Sequence, residues 1–253
     1  MDRVNVLGVG VNAIDLDRTV DTIDDWIRND RRDYVCVSGV HGVIESRRDP
    51  ALRRIHNRSG LVVPDGMPLV WLLRRAGCRV DRVYGPDLML AAMERGITRG
   101  WRHFLYGATP GTLSLLAAKL AARLPGLRIA GMHAPPFRPL SPAEDAFVVK
   151  TINEAAADIV WVGLSTPKQE AWMAAHRPLL DAKVLIGVGA AFDFHAGLLR
   201  QAPRFLQRSG LEWAFRLSQE PRRLWRRYAR NNPRFIIEIA AQRSGLRRYT
   251  MDA

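Results

Sequence analysis

Short apolar runs alternate with helical stretches along most of this chain, and a turn rich in glycine, serine or proline closes each run. Val4 to Val9, Tyr34-Val35-Cys36-Val37, Leu61-Val62-Val63, His103-Phe104-Leu105-Tyr106, Leu127 to Gly131, Asp158 to Gly163 and Val184 to Val188 read as strands. Strands that are apolar on both faces and separated by helices form parallel sheets covered on both sides. The expected fold class is α/β, a mostly parallel sheet with helices on both faces. No strand signal follows Gly197, so residues 1–197 read as the core and 198–253 as an α-helical C-terminal appendage.

Helix signals fill the intervals. Val20, Ile23 and Trp26 share a side of a helix capped by Asp15 or Asp17 and running to about Ile27. One helix is predicted from the Gly39–Gly42 turn to about Asn57, and others over Pro68–Arg74 and Leu113–Leu124. Pro86 suits a first helical turn, and Ser141 with Glu144 spells a capping box. In the appendage, Arg204–Arg208, Leu211–Leu217, Pro221–Tyr228 and Phe235–Ile239 read as helical.

At 253 residues and 47% hydrophobic content, the chain can bury a core without covalent staples. Cys36 and Cys78 form no CxxC pair, which argues against a disulfide framework or a zinc site and for a reducing compartment. No signal peptide and no spanning segment is read, so a location free of the membrane interior or at its surface is expected. The net charge is +13, and from Gly197 onward thirteen arginines face four acids, a surplus of nine. A basic tail on a nearly balanced body implies an anionic partner.

Candidate site residues lie in the turns after strands, where open α/β sheets place ligands. Asp65, in Val63-Pro64-Asp65-Gly66, is a candidate acid or base or, alternatively, a helix N-cap. Two glycines in Ser38-Gly39-Val40-His41-Gly42 let backbone approach a ligand. Gly107-Ala108-Thr109-Pro110-Gly111 suits an anion or a sugar hydroxyl, or is an ordinary turn; it lacks the ending of a P-loop. Lys168, Gln169 and Glu170 bind substrate or form a solvated first turn, and Asp193 and His195 follow the last strand. The glycine pairs at Gly8/Gly10 and Gly187/Gly189 lack the third glycine of a dinucleotide fingerprint, which excludes an NAD site. The histidines lack metal-ligand spacing.

Several of these stretches, in order, resemble the WecG/TagA/CpsF glycosyltransferases, bacterial inverting enzymes of surface polysaccharide and wall polymer assembly. The matching segments are Val63-Pro64-Asp65-Gly66, Gly85-Pro86-Asp87-Leu88-Met89, Gly163 through Glu170, Gly187 through Asp193, and Leu211-Glu212-Trp213 through Glu220-Pro221-Arg222-Arg223. The resemblance implies a Rossmann-like core, a UDP-sugar donor of N-acetylmannosamine type and a polyprenyl-diphosphate-linked sugar acceptor. It also implies a C-terminal appendage that helps cover the active site and meets the membrane. Asp65 matches the proposed catalytic base and Gln169 the active-site glutamine. Arg216, Arg223 and Arg226 match arginines proposed to hold the donor diphosphate. The family usually has Thr-Pro-Asn where this chain has Ser38-Gly39-Val40-His41; Ser38 keeps a hydroxyl, and His41 stands near the missing asparagine.

The expected catalytic residues are Asp65 and Ser38. The expected substrate-binding residues are His41, Gly107, Thr109, Lys168, Gln169, Glu170, Asp193, Arg216, Arg223 and Arg226. No metal and no cofactor are expected, arginines and helix N-termini taking the place of a metal at the leaving diphosphate. Interleaved aromatic and arginine residues from Phe205 to Ile236 suit an anionic leaflet, and the expected location is cytoplasmic, peripheral at the inner face of the cell membrane. Self-association stays open. One alternative is the same fold acting on UDP-glucose or UDP-glucuronate. Another is a non-enzymatic nucleic-acid-binding protein with a basic tail, although no nucleic-acid-binding motif is present and nucleic acid is not an expected partner.

Overall fold

The computed structural model describes residues 2–251. It opens on an antiparallel hairpin, β1 (Arg3–Val6) and β2 (Val9–Asn12), where one strand was predicted. Leu7 and Gly8 both have positive φ, 54° and 91°, as the tightest right-twisted hairpin turns require. Asn5 Oδ1 accepts from Gly8 N at 2.8 Å and closes the turn.

The six remaining strands are β3 (Asp33–Ser38), β4 (Leu61–Pro64), β5 (Arg102–Gly107), β6 (Arg128–His133), β7 (Ile159–Gly163) and β8 (Val184–Gly187). They form one parallel sheet in the order β4-β3-β8-β7-β5-β6. Ile159 through Val162 and Val184 through Ile186 are wholly buried, because a parallel sheet has helices over both faces. The α/β class read from the alternation is the class observed.

The flanking helices are α1 (Leu16–Arg28), α2 (Val40–Arg48), α3 (Pro50–Arg58), α4 (Met67–Arg75), α5 (Gly85–Arg99), α6 (Pro110–Arg123), α7 (Pro142–Glu154), α8 (Lys168–His176) and α9 (Ala191–Ala196). Helix α1 buries Val20, Ile23 and Trp26, and α7 carries the full Ser141–Glu144 capping box. The single helix predicted to reach Asn57 is two. Pro50 has no N–H and pushes Asp49 out of the helical region, and Asp49 then caps α3 by accepting from Ala51 N at 2.8 Å.

After Gly197 come α10 (Arg204–Arg208), α11 (Glu212–Gln219) and α12 (Pro221–Arg243). Pro221 stands in the first turn of α12, which then continues through Pro233 where the sequence suggested two shorter segments. Leu224, Asn231, Phe235 and Glu238 form one buried stripe along it, and packing of that stripe overrides the local cost of Pro233.

Backbone contacts divide the chain into two compact units. The first comprises residues 1–15, 37–84 and 201–253, and the second 16–36 and 85–200. In the first, α12 is tied to α2: Glu238 accepts from Arg47 at 2.9 Å and from Arg234 at 2.7 Å.

Candidate active site

In the first unit, β3 and β4 end together. Asp65 N donates to Ser38 O at 2.9 Å, which sets Asp65 just past the carboxyl end of β4. The N-cap position of α4 is Gly66, one residue past Asp65. Gly39 passes close by: a Cβ there would stand 3.9 Å from Asp65 Oδ2. Ser38 Oγ is buried without a hydrogen-bond partner among the described residues.

A buried arginine completes this corner. Arg82 Nη2 lies 3.7 Å from Asp65 Oδ1 and 2.6 Å from Glu212 Oε2 of α11. Its Nε donates to the Asp65 carbonyl, and its guanidinium lies over the Tyr84 ring, 4.1 Å from the centroid. Burial works against the Arg82 charge, but Asp65 and Glu212 outweigh it and hold the guanidinium above its ordinary pKa. The Tyr84 phenol is pushed well above its usual value, by burial first and then by Glu212 and Asp65, while Arg216 acts in the opposite sense.

The three tail arginines stand differently. Arg216, on α11, is close enough to this corner to act on Tyr84. Arg223, on α12, is exposed and paired with Glu220, Nε to Oε1 at 2.7 Å. Arg226 lies along Trp225, 5.4 Å from its ring centroid. Arg216 and Arg223 are seven positions apart, which on one continuous helix would give them a common face. The break at Glu220 puts them on two helices. His41 is fixed by Asn231 of α12. Arg48 Nη2 donates to Asn231 Oδ1 at 2.8 Å, so the Asn231 amide nitrogen faces His41 Nδ1, at 2.9 Å, and donates to it.

In the second unit, the turn after β5 begins at Gly107, φ 128°, where a Cβ would stand 2.6 Å from Gly163 O. Helix α6 begins at Pro110, earlier than predicted, and Thr109 is its cap, accepting from Thr112 N at 3.2 Å. Past β7, Lys168 is exposed while Gln169 and Glu170 are buried. Glu170 Oε1 accepts from Thr166 Oγ1 at 2.9 Å and from Gln169 Nε2 at 3.1 Å. Asp193 is half-buried in the first turn of α9; its backbone carbonyl accepts from Leu198 N at 2.9 Å. The His195 ring nitrogen Nε2 meets Pro86 O at 3.0 Å, and burial lowers the pKa of that ring.

Arg82, Tyr84, Glu212, Asn231 and Thr166 are polar residues that sequence reading did not single out. Glu212 and Thr166 lie inside the matching segments and were signalled to that extent. Arg82 sits in a loop between two other charged stretches, with no motif to mark it. Among the described residues, no three His, Cys, Asp or Glu side chains cluster as metal ligands would.

The parallel sheet, with polar residues gathered just past its strand ends, defines a Rossmann-like α/β protein. The model of the glycosyl transferase WecG/TagA/CpsF family matches residues 4–249, and the chain belongs to that family. It is a glycosyltransferase of polysaccharide biosynthesis. A similar curated protein is the N-acetylglucosaminyldiphosphoundecaprenol N-acetyl-beta-D-mannosaminyltransferase of Bacillus spizizenii. It is 28% identical over 196 residues, which are 77% of this chain and 74% of that one.

Proposed function

We propose that the protein transfers an N-acetylmannosamine-type sugar, with inversion, from a UDP-linked donor to a glycan carried on polyprenyl diphosphate. The observation that carries this reading is Asp65: a carboxylate past the end of β4, with cationic Arg82 beside it. The acceptor hydroxyl attacks the anomeric carbon and passes its proton to Asp65 as the new bond forms. The bond from that carbon to the β-phosphate oxygen breaks, and UDP departs with the electron pair. Arg216, Arg223 and Arg226 hold the departing diphosphate, arginine being a planar donor fork whose charge does not titrate away. Ser38, the last residue of β3, and His41, in the first turn of α2, contact the reacting sugars. Gly107, Thr109, Lys168, Gln169, Glu170 and Asp193 bind substrate at the strand ends of the second unit. The relative's acceptor, a sugar on undecaprenyl diphosphate, supports the lipid-linked acceptor.

Residues 1–197 act as the catalytic core, and 198–253 as the helical appendage that attaches the enzyme to the inner face of the cell membrane. No helix among the described residues is long and apolar enough to cross a membrane. Phe205, Trp213, Trp225 and Ile236 are exposed among the tail arginines, as interfacial attachment requires.

The reading is tested by incubating purified protein with UDP-N-acetylmannosamine, UDP-glucose or UDP-glucuronate and a short-chain polyprenyl-diphosphate N-acetylglucosamine. The expected result is UDP release with the N-acetylmannosamine donor and a product of opposite anomeric configuration. No transfer from any donor, or retention of configuration, would overturn it.

A further inference from the structure

Two buried polar atoms beside each other in the second unit have no hydrogen-bond partner among the described residues: Gln169 Oε1 and Glu170 Oε2. The residues are only 2% and 1% exposed, so bulk water does not satisfy them as it would a surface amide. Buried acceptors of this kind are uncommon in native chains and call for a reason. These two open α8, directly past the end of β7.

The surrounding bonds fix which end of the amide is left over. Glu170 Oε1 already receives Thr166 Oγ1 at 2.9 Å and Gln169 Nε2 at 3.1 Å. A glutamine amide has one donating end and one accepting end. With the nitrogen turned to Glu170, the carbonyl oxygen remains; the flipped amide would set one acceptor against another. Glycines also leave the amide its space. A Cβ at Gly187 would stand 3.0 Å from Gln169 Cδ, and one at Gly189 would stand 3.6 Å from Oε1.

We propose that Glu170 is a positioning residue: with Thr166 it locks the Gln169 amide so that the carbonyl oxygen is presented to ligand, making a subsite of acceptors. Such a subsite takes O–H or N–H donors; a nucleotide sugar offers these on its nucleoside and on the hydroxyls and acetamido group of its sugar, and the proposal assigns the sugar. It refuses phosphate, whose oxygens are acceptors too. The proposal rests on the donor being a nucleotide sugar, and it assigns donors of the sugar to Gln169.

The test measures calorimetric affinities for UDP, for UDP-N-acetylmannosamine, and for analogues with one sugar hydroxyl replaced by fluorine, which cannot donate. The proteins are wild type, Gln169→Met, Glu170→Gln and Thr166→Val, each checked for its Tm. UDP affinity is expected to stay within about twofold throughout. UDP-sugar affinity falls about tenfold in Gln169→Met, the scale of one lost hydrogen bond. Glu170→Gln reproduces that fall, because the new amide can donate to the Gln169 carbonyl and occupy it; Thr166→Val lies between. Wild type discriminates about tenfold against one fluoro analogue, and Gln169→Met and Glu170→Gln lose that discrimination. Equal losses for UDP and UDP-sugar, discrimination kept in Gln169→Met, or wild-type sugar binding in both variants would overturn the subsite and leave the transferase reading standing. Wild type that binds UDP but none of the UDP-sugars would overturn both.

Discussion

Arg82 Nη2 lies 2.6 Å from Glu212 Oε2, and this pair, rather than the 3.7 Å approach to Asp65, is the tighter hold on the guanidinium. Both side chains are nearly buried, at 12% and 13% exposure. Arg82→Met would leave Glu212 without its cation, and the expected cost is about 2–3 kcal/mol, below the figure for a fully buried pair. Arg82→Met/Glu212→Leu should regain most of it. Urea unfolding decides: a single variant as stable as wild type would show that the pair does not hold α11.

Asp65→Asn keeps the shape of the side chain and removes the base. Transfer is expected to fall by about 10²- to 10⁴-fold, the usual worth of a positioned base. UDP affinity and Tm should change little, since the amide keeps the shape of the side chain. Near-normal turnover would remove Asp65 from the mechanism.

Arg216 and Arg223 separate by environment. Arg216→Ala is expected to raise the donor KM about tenfold, in keeping with loss of a charge-assisted contact. Arg223→Ala should weaken donor use less, because in the free enzyme Arg223 is exposed and held by Glu220. Unchanged kinetics at limiting donor in both variants would count against phosphate binding by the tail.

His103 gives the protein a pH-dependent stability away from the chemistry. Burial pulls its imidazole down from 6.5 to about 4, and Nδ1 accepts from Trp161 Nε1 at 3.2 Å. The folded value lies below the unfolded one, so between about 6.5 and 4 the unfolded chain takes a proton that the folded chain refuses. Stability is complete above that window and falls through it by about 3 kcal/mol as pH drops. Burial lowers His133 and His195 in the same sense. His103→Gln should flatten much of the slope between urea midpoints at pH 7 and pH 4.5; an undiminished slope would acquit His103.

The exposed tail aromatics should govern attachment to anionic vesicles. Phe205→Ser/Trp225→Ser is expected to raise the phosphatidylglycerol vesicle concentration needed for half-sedimentation by about a hundredfold or more at constant net charge, since each buried apolar side chain contributes about 1.5–3 kcal/mol. Equal sedimentation of both proteins would assign vesicle binding to charge alone.

Local features were legible from the residues. Val20, Ile23 and Trp26 marked the buried side of α1, Ser141 with Glu144 marked the start of α7, and Pro221 marked the first turn of α12. Each depends on neighbours a few residues away. Errors arose where local signals compete. The hairpin at Leu7-Gly8 hides in an apolar run, and Pro50 divides a helix whose pattern continues across it. At Pro233 the local break signal yields to the packed stripe of α12.

By itself, then, the sequence determined the α/β class, the turns that carry polar groups, and Asp65 and Gln169 as residues of interest, because backbone sterics and hydrophobic periodicity act over short spans. Only the tertiary structure decided that Arg82 joins Asp65 to Glu212, that Asn231 faces His41, and that the Gln169 amide is oriented by Glu170. Hydrogen bonds and ion pairs depend on distance and direction in space. For groups brought together by the fold, neither is encoded in the spacing along the chain.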